Sequence, residues 1–404
     1  MTQIKPADLI KAALLIVVFA TFAMQTAMLR SFFYTVASQE SEWSFHDRDL
    51  IGQERARPNL RVVAMVMGET IQATVRVASS LVFAHPEQTP LYQGTPWPDD
   101  GTRDSIADGP LVLWSAHLLF VGIALLPVLI LAIVWYRGFW QRLVLLTLAM
   151  VGIAGWHPAP ISLFFSAASL FTDWPLSYYL FIGNLQAYDL AALGGVALMV
   201  LYCARGAPVR SWQVATITIM ATLTIEYLGV VFAAGLSAAI FFDSDVGHRR
   251  SRLLGVVRVA GVAFVAFLVT AATVFGIFFM MENTVQWQST RYAGFVENNF
   301  LWFRTIIANM ISMLSIPMGI GLLGGAVLSL MASAGERPPI RMRTIAALIG
   351  MMGSYLAVFA VGFLNLAYPS EMSRQFAPAM LLALLLGVAL GDRVLSGLRR
   401  TAVT

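Results

Sequence analysis

Long apolar runs separated by short, arginine-bearing breaks set the pattern of this chain. Crossing a bilayer as a helix takes ~20 apolar residues. Runs of that kind fall at about 9–33, 111–136, 139–156, 187–204, 253–281, 301–332, 344–366 and 376–395. The stretch 212–242 is too long for one ordinary crossing and carries Glu226 at its middle. It predicts a tight pair of short helices turning near Glu226 and Gly229. The expected fold is an all-α polytopic membrane protein, a single integral membrane domain over 1–404 with about ten transmembrane helices.

One long polar interval interrupts this pattern, between Ser38 and Pro110. It defines a large first loop at 34–110. Within it, Asn59 to Phe83 turns apolar again, and Val63, Val66, Met67 and Ile71 fit the spacing of an interfacial helix. Ile71, Ala73, Val75 and Val77 alternate instead, as in a strand, so helix and strand both stay open there. Glu87 to Asp108 is rich in Pro, Gly and Asp and reads as an irregular loop. A second loop, 157–188, is apolar and aromatic but broken by Pro158, Pro160 and Pro175. Proline at these intervals argues for short helices tucked at the membrane interface, a depth that aromatic rings prefer.

Composition agrees with a membrane setting. Hydrophobic residues make up 58% of 404 positions, charged residues 12%, and mean hydropathy is +0.74, against about 25% charged in a soluble domain. The net charge of +4 does not point to nucleic acid, because the arginines sit between apolar runs rather than on one basic face. Cys203 is the single cysteine and rules out an intrachain disulfide. The first apolar run follows Lys5 and includes Lys11. Its core is longer than that of a signal peptide cleaved near Ala37, so an uncleaved anchor is expected. Absence of a glycosylation sequon and the compact loops suggest a bacterial inner membrane.

Positive charge orients the runs. Lys5 and Lys11, Arg137 and Arg142, Arg205 and Arg210, Arg249 to Arg258, Arg337 to Arg343, and Arg393 to Arg400 share one side only if 212–242 crosses twice. Both termini are then cytoplasmic. The acids of the first loop face outward, as do Asp173, Glu282, Glu297 and Glu371, with Asp189 and Glu226 near that boundary. Asp8, Asp243, Asp245, Glu336 and Asp392 lie inside. The working face is therefore expected to be external.

Candidate chemistry gathers on that face. Glu40, Glu42, His46, Asp47 and Asp49 crowd just beyond the first run. A carboxylate at a membrane surface, raised in pKa by burial, can act as a general base, with His46 orienting it; the bland alternative is a solvated loop. Arg291, Arg374 and Arg304 are outward arginines whose planar forks suit phosphate oxygens, unless they merely pair with Glu297 or Glu371. His157 and Trp174 belong to an aromatic loop that forms either a belt or a groove for a lipid tail or sugar ring. Glu226, near the membrane, counts as a substrate-side candidate because intramembrane carboxylates are functional by default. Asp189 is expected to cap its helix. Gly321, Gly324 and Gly325 follow Pro317 and predict close helix packing. No nucleotide-binding loop, zinc spacing or serine-nucleophile elbow occurs.

Glu40-x-Glu42-Trp43 followed by His46 resembles the Asp-x-Asp-aromatic motif of GT-C-type membrane glycosyltransferases, with glutamate in both acid positions. Tyr368 to Pro378, which carries Arg374, looks like the arginine-bearing loop before the last helix of those enzymes. The resemblance implies that one acid among Glu40, Glu42 and Asp47 deprotonates an acceptor hydroxyl. It also implies a sugar donor linked to a polyprenyl phosphate.

Hexosyl or pentosyl transfer to an extracytoplasmic glycan or lipid acceptor is thus the first expectation. No cofactor is expected beyond Mg²⁺ or Mn²⁺ held by an acidic pair. An ion- or proton-coupled secondary transporter using Asp189 or Glu226 is the second. A polysaccharide polymerase or assembly protein is the third.

Overall fold

The computed structural model describes residues 126–136, 138–154, 184–204, 209–225, 227–243, 249–282, 300–331, 340–362 and 378–401, with scattered helical positions among residues 7–77. Among these residues the chain is all helical and has no strand. The helices are α1 (Leu126–Trp135), α2 (Phe139–Ala154), α3 (Asn184–Cys203), α4 (Ser211–Thr224) and α5 (Leu228–Phe241). They continue with α6 (Arg249–Glu282), α7 (Phe300–Met331), α8 (Met342–Gly362) and α9 (Ala379–Thr401).

Helix bounds follow the apolar runs with informative exceptions. α9 extends through Arg393, Arg399 and Arg400 to Thr401, past the apolar run. Cations in a last turn are favoured by the helix dipole, so the polar tail continues the helix. α3 starts at Asn184, which puts Asp189 in the second turn. Asp189 is therefore not a cap. It is half-buried, with Oδ1 shut off from solvent. In the first loop, Ala73, Thr74 and Val77 are helical, and the Thr74 hydroxyl donates to the Thr70 carbonyl at 2.7 Å. That bond spans one helical turn and favours the helix over the strand at those positions.

The stretch 212–242 is two helices, α4 and α5, of 14 residues each. Ile225 breaks α4 by taking extended dihedrals, φ −149° and ψ 132°, and the Leu228 N–H donates to its carbonyl at 2.9 Å. A side chain at Gly229 would overlap the Thr222 hydroxyl, so glycine is what lets α5 start this close against α4. At 1.5 Å per residue each helix is ~21 Å long, short of a ~30 Å hydrocarbon layer. Ile225, Tyr227 and Leu228 are buried. The Tyr227 ring meets Tyr355 edge-on at 5.6 Å, about two turns (~10 Å) before α8 ends. The hairpin therefore stops inside the bundle, below the end of its neighbour.

The most extensive contact among the described helices joins α7 and α9. Gly321 and Gly325 of α7 face the Leu384 and Val388 backbone, while Gly387 and Gly391 of α9 face the Met318 and Leu322 backbone. A β-carbon at any of the four would strike a carbonyl oxygen of the other helix. Two small-x-x-x-small stripes thus let the backbones touch, as expected for helices that pack by van der Waals contact. Pro317 lies within α7 without ending it.

Two helices are long and apolar enough to cross a membrane by length and composition, Arg249–Val274 and Ala379–Leu398. Shorter apolar helices accompany them, among them Asp189–Cys203, Pro317–Met331 and Met342–Val358.

Candidate functional site

Helix directions follow from side-chain contacts. The Gln141 amide in the first turn of α2 donates to the Leu328 carbonyl near the end of α7 at 3.4 Å, and Ser329 bonds Ser396 near the end of α9 at 3.0 Å. At the start of α8, Arg343 pairs with Asp243, just past α5, at 3.6 Å. Arg258 of α6 donates to the Ser211 hydroxyl at the start of α4 at 2.8 Å. These links, with the Arg393 bond to the Ile340 carbonyl and with Cys203 and Ala204 gathered beside Ser211 and Arg343, put the starts of α2, α4, α6 and α8 at one end of the bundle, with the finishes of α3, α5, α7 and α9. Successive helices α2 to α9 alternate in direction.

That shared end is cationic. Arg142, Arg210, Arg249, Arg250, Arg252, Arg258, Arg341, Arg343 and Arg393 all belong to it. Its arginines close helix ends by donating to backbone. Arg142 bonds the Tyr136 carbonyl at 2.9 Å, and Arg393 bonds the Ile340 carbonyl at 3.2 Å. The carboxylate of fully buried Asp392 accepts from the Ile340 N–H at 3.2 Å, which pins the start of α8 to α9. Exposed Trp140, Tyr202 and Trp212 ring the same end. Arginines beside exposed aromatics are the makeup of a membrane–water interface.

Alternation sends the other helix termini to the opposite end. Ala154 and Asn184 bracket the segment that holds His157 and Trp174. Glu282 and Phe300 bracket the one with Arg291, and Gly362 and Ala379 the one with Arg374. Ile225 and Tyr227 bracket Glu226 at the hairpin tip, which points the same way. α1 finishes against α2 at the cationic end. For His157, Trp174, Glu226, Arg291 and Arg374, the described flanks run toward the end opposite the described arginine cluster. Glu40, Glu42, His46, Asp47, His157, Trp174, Glu226, Arg291 and Arg374 themselves lie outside the described residues. Arg304 stands in the first turns of α7, with only its backbone described.

Sequence reasoning treated the cationic end as an orientation signal and missed what it encloses. A cavity of about 280 Å³ sits there between α3, α4, α5, α6 and α8. Arg258, Arg343, Asp243 and Ser211 form its polar end, and Val214, Leu236, Ala239, Ile240, Val259 and Val262 its apolar side. Separate helices supply the charged residues, so no sequence spacing reveals them. Among the described residues no three His, Cys, Asp or Glu side chains gather as a metal site.

No protein-family profile, curated protein sequence or solved structure matches the chain. Functional reading thus rests on the residues and their arrangement.

Proposed function

We propose that the chain is a polytopic membrane glycosyltransferase. It moves a hexose or pentose from a polyprenyl-phosphate donor to an extracytoplasmic glycan or lipid acceptor. It crosses the bilayer about ten times, with both termini and the arginine end on the cytoplasmic side. One observation carries this reading: helices α2 to α9 alternate so that the described arginines other than Arg304 gather at one end, while the segments bearing the aromatic loop, Arg291 and Arg374 depart toward the other. A lipid-linked donor needs that division. Its tail stays among the apolar helices, and its phosphate and sugar stand at one surface.

In this reading an acid of the Glu40 to Asp47 block, Glu42 or Asp47, takes the proton from the acceptor hydroxyl as oxygen attacks the anomeric carbon. His46 orients the acid. The bond from that carbon to the phosphate oxygen breaks, and the polyprenyl phosphate leaves with the electron pair. Arg291, Arg374 and Arg304 steady its charge, which is the part of the transition state an arginine clamp stabilises most. His157 and Trp174 of the aromatic loop flank the sugar.

Glu42→Gln and Asp47→Asn test the proposal in membranes supplied with radiolabelled polyprenyl-phosphate hexose or pentose. Loss of a general base lowers transfer by about 10²–10⁴-fold, so at least one substitution should do so while the protein stays inserted. Full transfer by both variants would contradict the catalytic assignment.

A second reading, an ion- or proton-coupled transporter, draws on the short α4–α5 hairpin with its buried turn and on half-buried Asp189. Broken helices that meet inside a bilayer are the usual site of ion coupling. Uptake driven by a proton gradient and abolished by Asp189→Asn, with no sugar transfer, would favour it.

A further inference from the structure

The cavity at the cationic end has a construction that the proposed reaction does not use. Its apolar side comes from α4, α5 and α6, and its polar end joins two ion-paired or hydrogen-bonded arginines. Arg343 is 6% exposed and paired to Asp243 at 3.6 Å, so it is fixed from inside the bundle. Arg258 is exposed and held by the Ser211 hydroxyl at 2.8 Å. Its side chain is among those that line the cavity. Two cations against one carboxylate leave the polar end net positive.

We propose that this cavity binds the phosphate head of an anionic glycerophospholipid from the leaflet at the arginine end. Arg258 takes the phosphate, and the proximal acyl chain lies along Val214, Ala239 and Val259. Charge complementarity selects an anion, and the apolar wall beside it selects an amphiphile over free phosphate. Among the described helices α6 packs substantially only on α4 and α5 and forms the outer wall of the cavity. Its outer flank leaves Leu254, Val257, Phe264 and Leu268 exposed. Basic pockets between membrane helices on a cytoplasmic side are suited to acidic lipid heads. The assignment rests on the membrane setting proposed above and not on sugar transfer.

Native mass spectrometry of the full chain, released from nanodiscs of mixed phosphatidylglycerol and phosphatidylcholine, reads the bound lipid directly. The wild-type chain should retain phosphatidylglycerol. Arg258→Gln should weaken that retention by about fivefold, the effect of one surface arginine near an anionic lipid. Ala239→Trp, which fills the apolar side, should weaken it as well. Arg250→Gln, with the same charge change outside the cavity, should leave it near wild type, and inorganic phosphate should not compete. Equal losses from Arg250→Gln and Arg258→Gln would overturn the site in favour of diffuse attraction. Unchanged retention in both cavity variants would also overturn it. Extraction by alkaline carbonate separates the two proposals: a chain that washes out refutes the membrane setting, whereas one that stays without selective lipid refutes the cavity alone.

Discussion

Helices α6 and α9 pass the same test of length and hydropathy and live in opposite surroundings. Of the apolar window in α9, 72% is buried inside the protein, against 22% for α6. α9 is enclosed by α7, α8 and α2, with Ala379 to Ala389 buried without exception. Among the described helices α6 packs substantially only on the hairpin, and it turns Phe264, Val265, Leu268 and Val269 outward. Apolar composition therefore has two distinct causes here. In α9 it serves close packing between helices, and in α6 it forms an outward face. An outward face of that size is unusual for a water-soluble monomer and natural for a lipid-facing one.

Substitutions separate the two causes. Gly387→Leu should have the largest effect, because its side chain must displace the Met318 carbonyl of α7. Overpacking a tight site costs ~1–3 kcal/mol and at times more. Since the obstacle here is backbone, the expected outcome is loss of folded protein in a detergent thermal-shift assay. Val265→Lys on the exposed flank of α6 comes next. In a bilayer centre a lysine costs about 2.5–3.5 kcal/mol, so membrane insertion should fall sharply, whereas a flank facing water would tolerate it. Leu382→Ala removes a fully buried side chain of α9 and should destabilise by at least ~2 kcal/mol through the cavity it leaves. Leu268→Ala makes the same truncation on the exposed face of α6 and should stay within about 0.5 kcal/mol. Equal effects for the two leucines would abolish the distinction.

Several parts of this arrangement are visible in the sequence for physical reasons. The α4–α5 break is legible because Glu226 interrupts an apolar run that is too long for one helix, and the flanking arginines demand an even number of passes. Glycines 321, 324 and 325 announce close packing, since nothing else explains so many small residues in an apolar helix. Their partners in α9, Gly387 and Gly391, are not legible, because parallel pairing of two helices separated by α8 leaves no local trace. Asp189 illustrates the opposite failure. An acid at the start of an apolar run looks like a cap, yet Asn184 to Tyr188 already form helix, although they are polar enough to be read as loop. Arg258 and Arg343 read as orientation charges, and only packing brings them to one cavity. The candidate catalytic block rests on motif and sidedness, as its residues lie outside the described ones.

The proposed topology depends most directly on sidedness. A chain with Cys203 replaced by alanine takes single cysteines at Ser244, beside the arginine end, and at Ser289, between α6 and α7. It is treated with a membrane-impermeant maleimide in intact cells. Position 289 should label from outside, and position 244 only after permeabilisation. Labelling of both positions from the same side would contradict the topology.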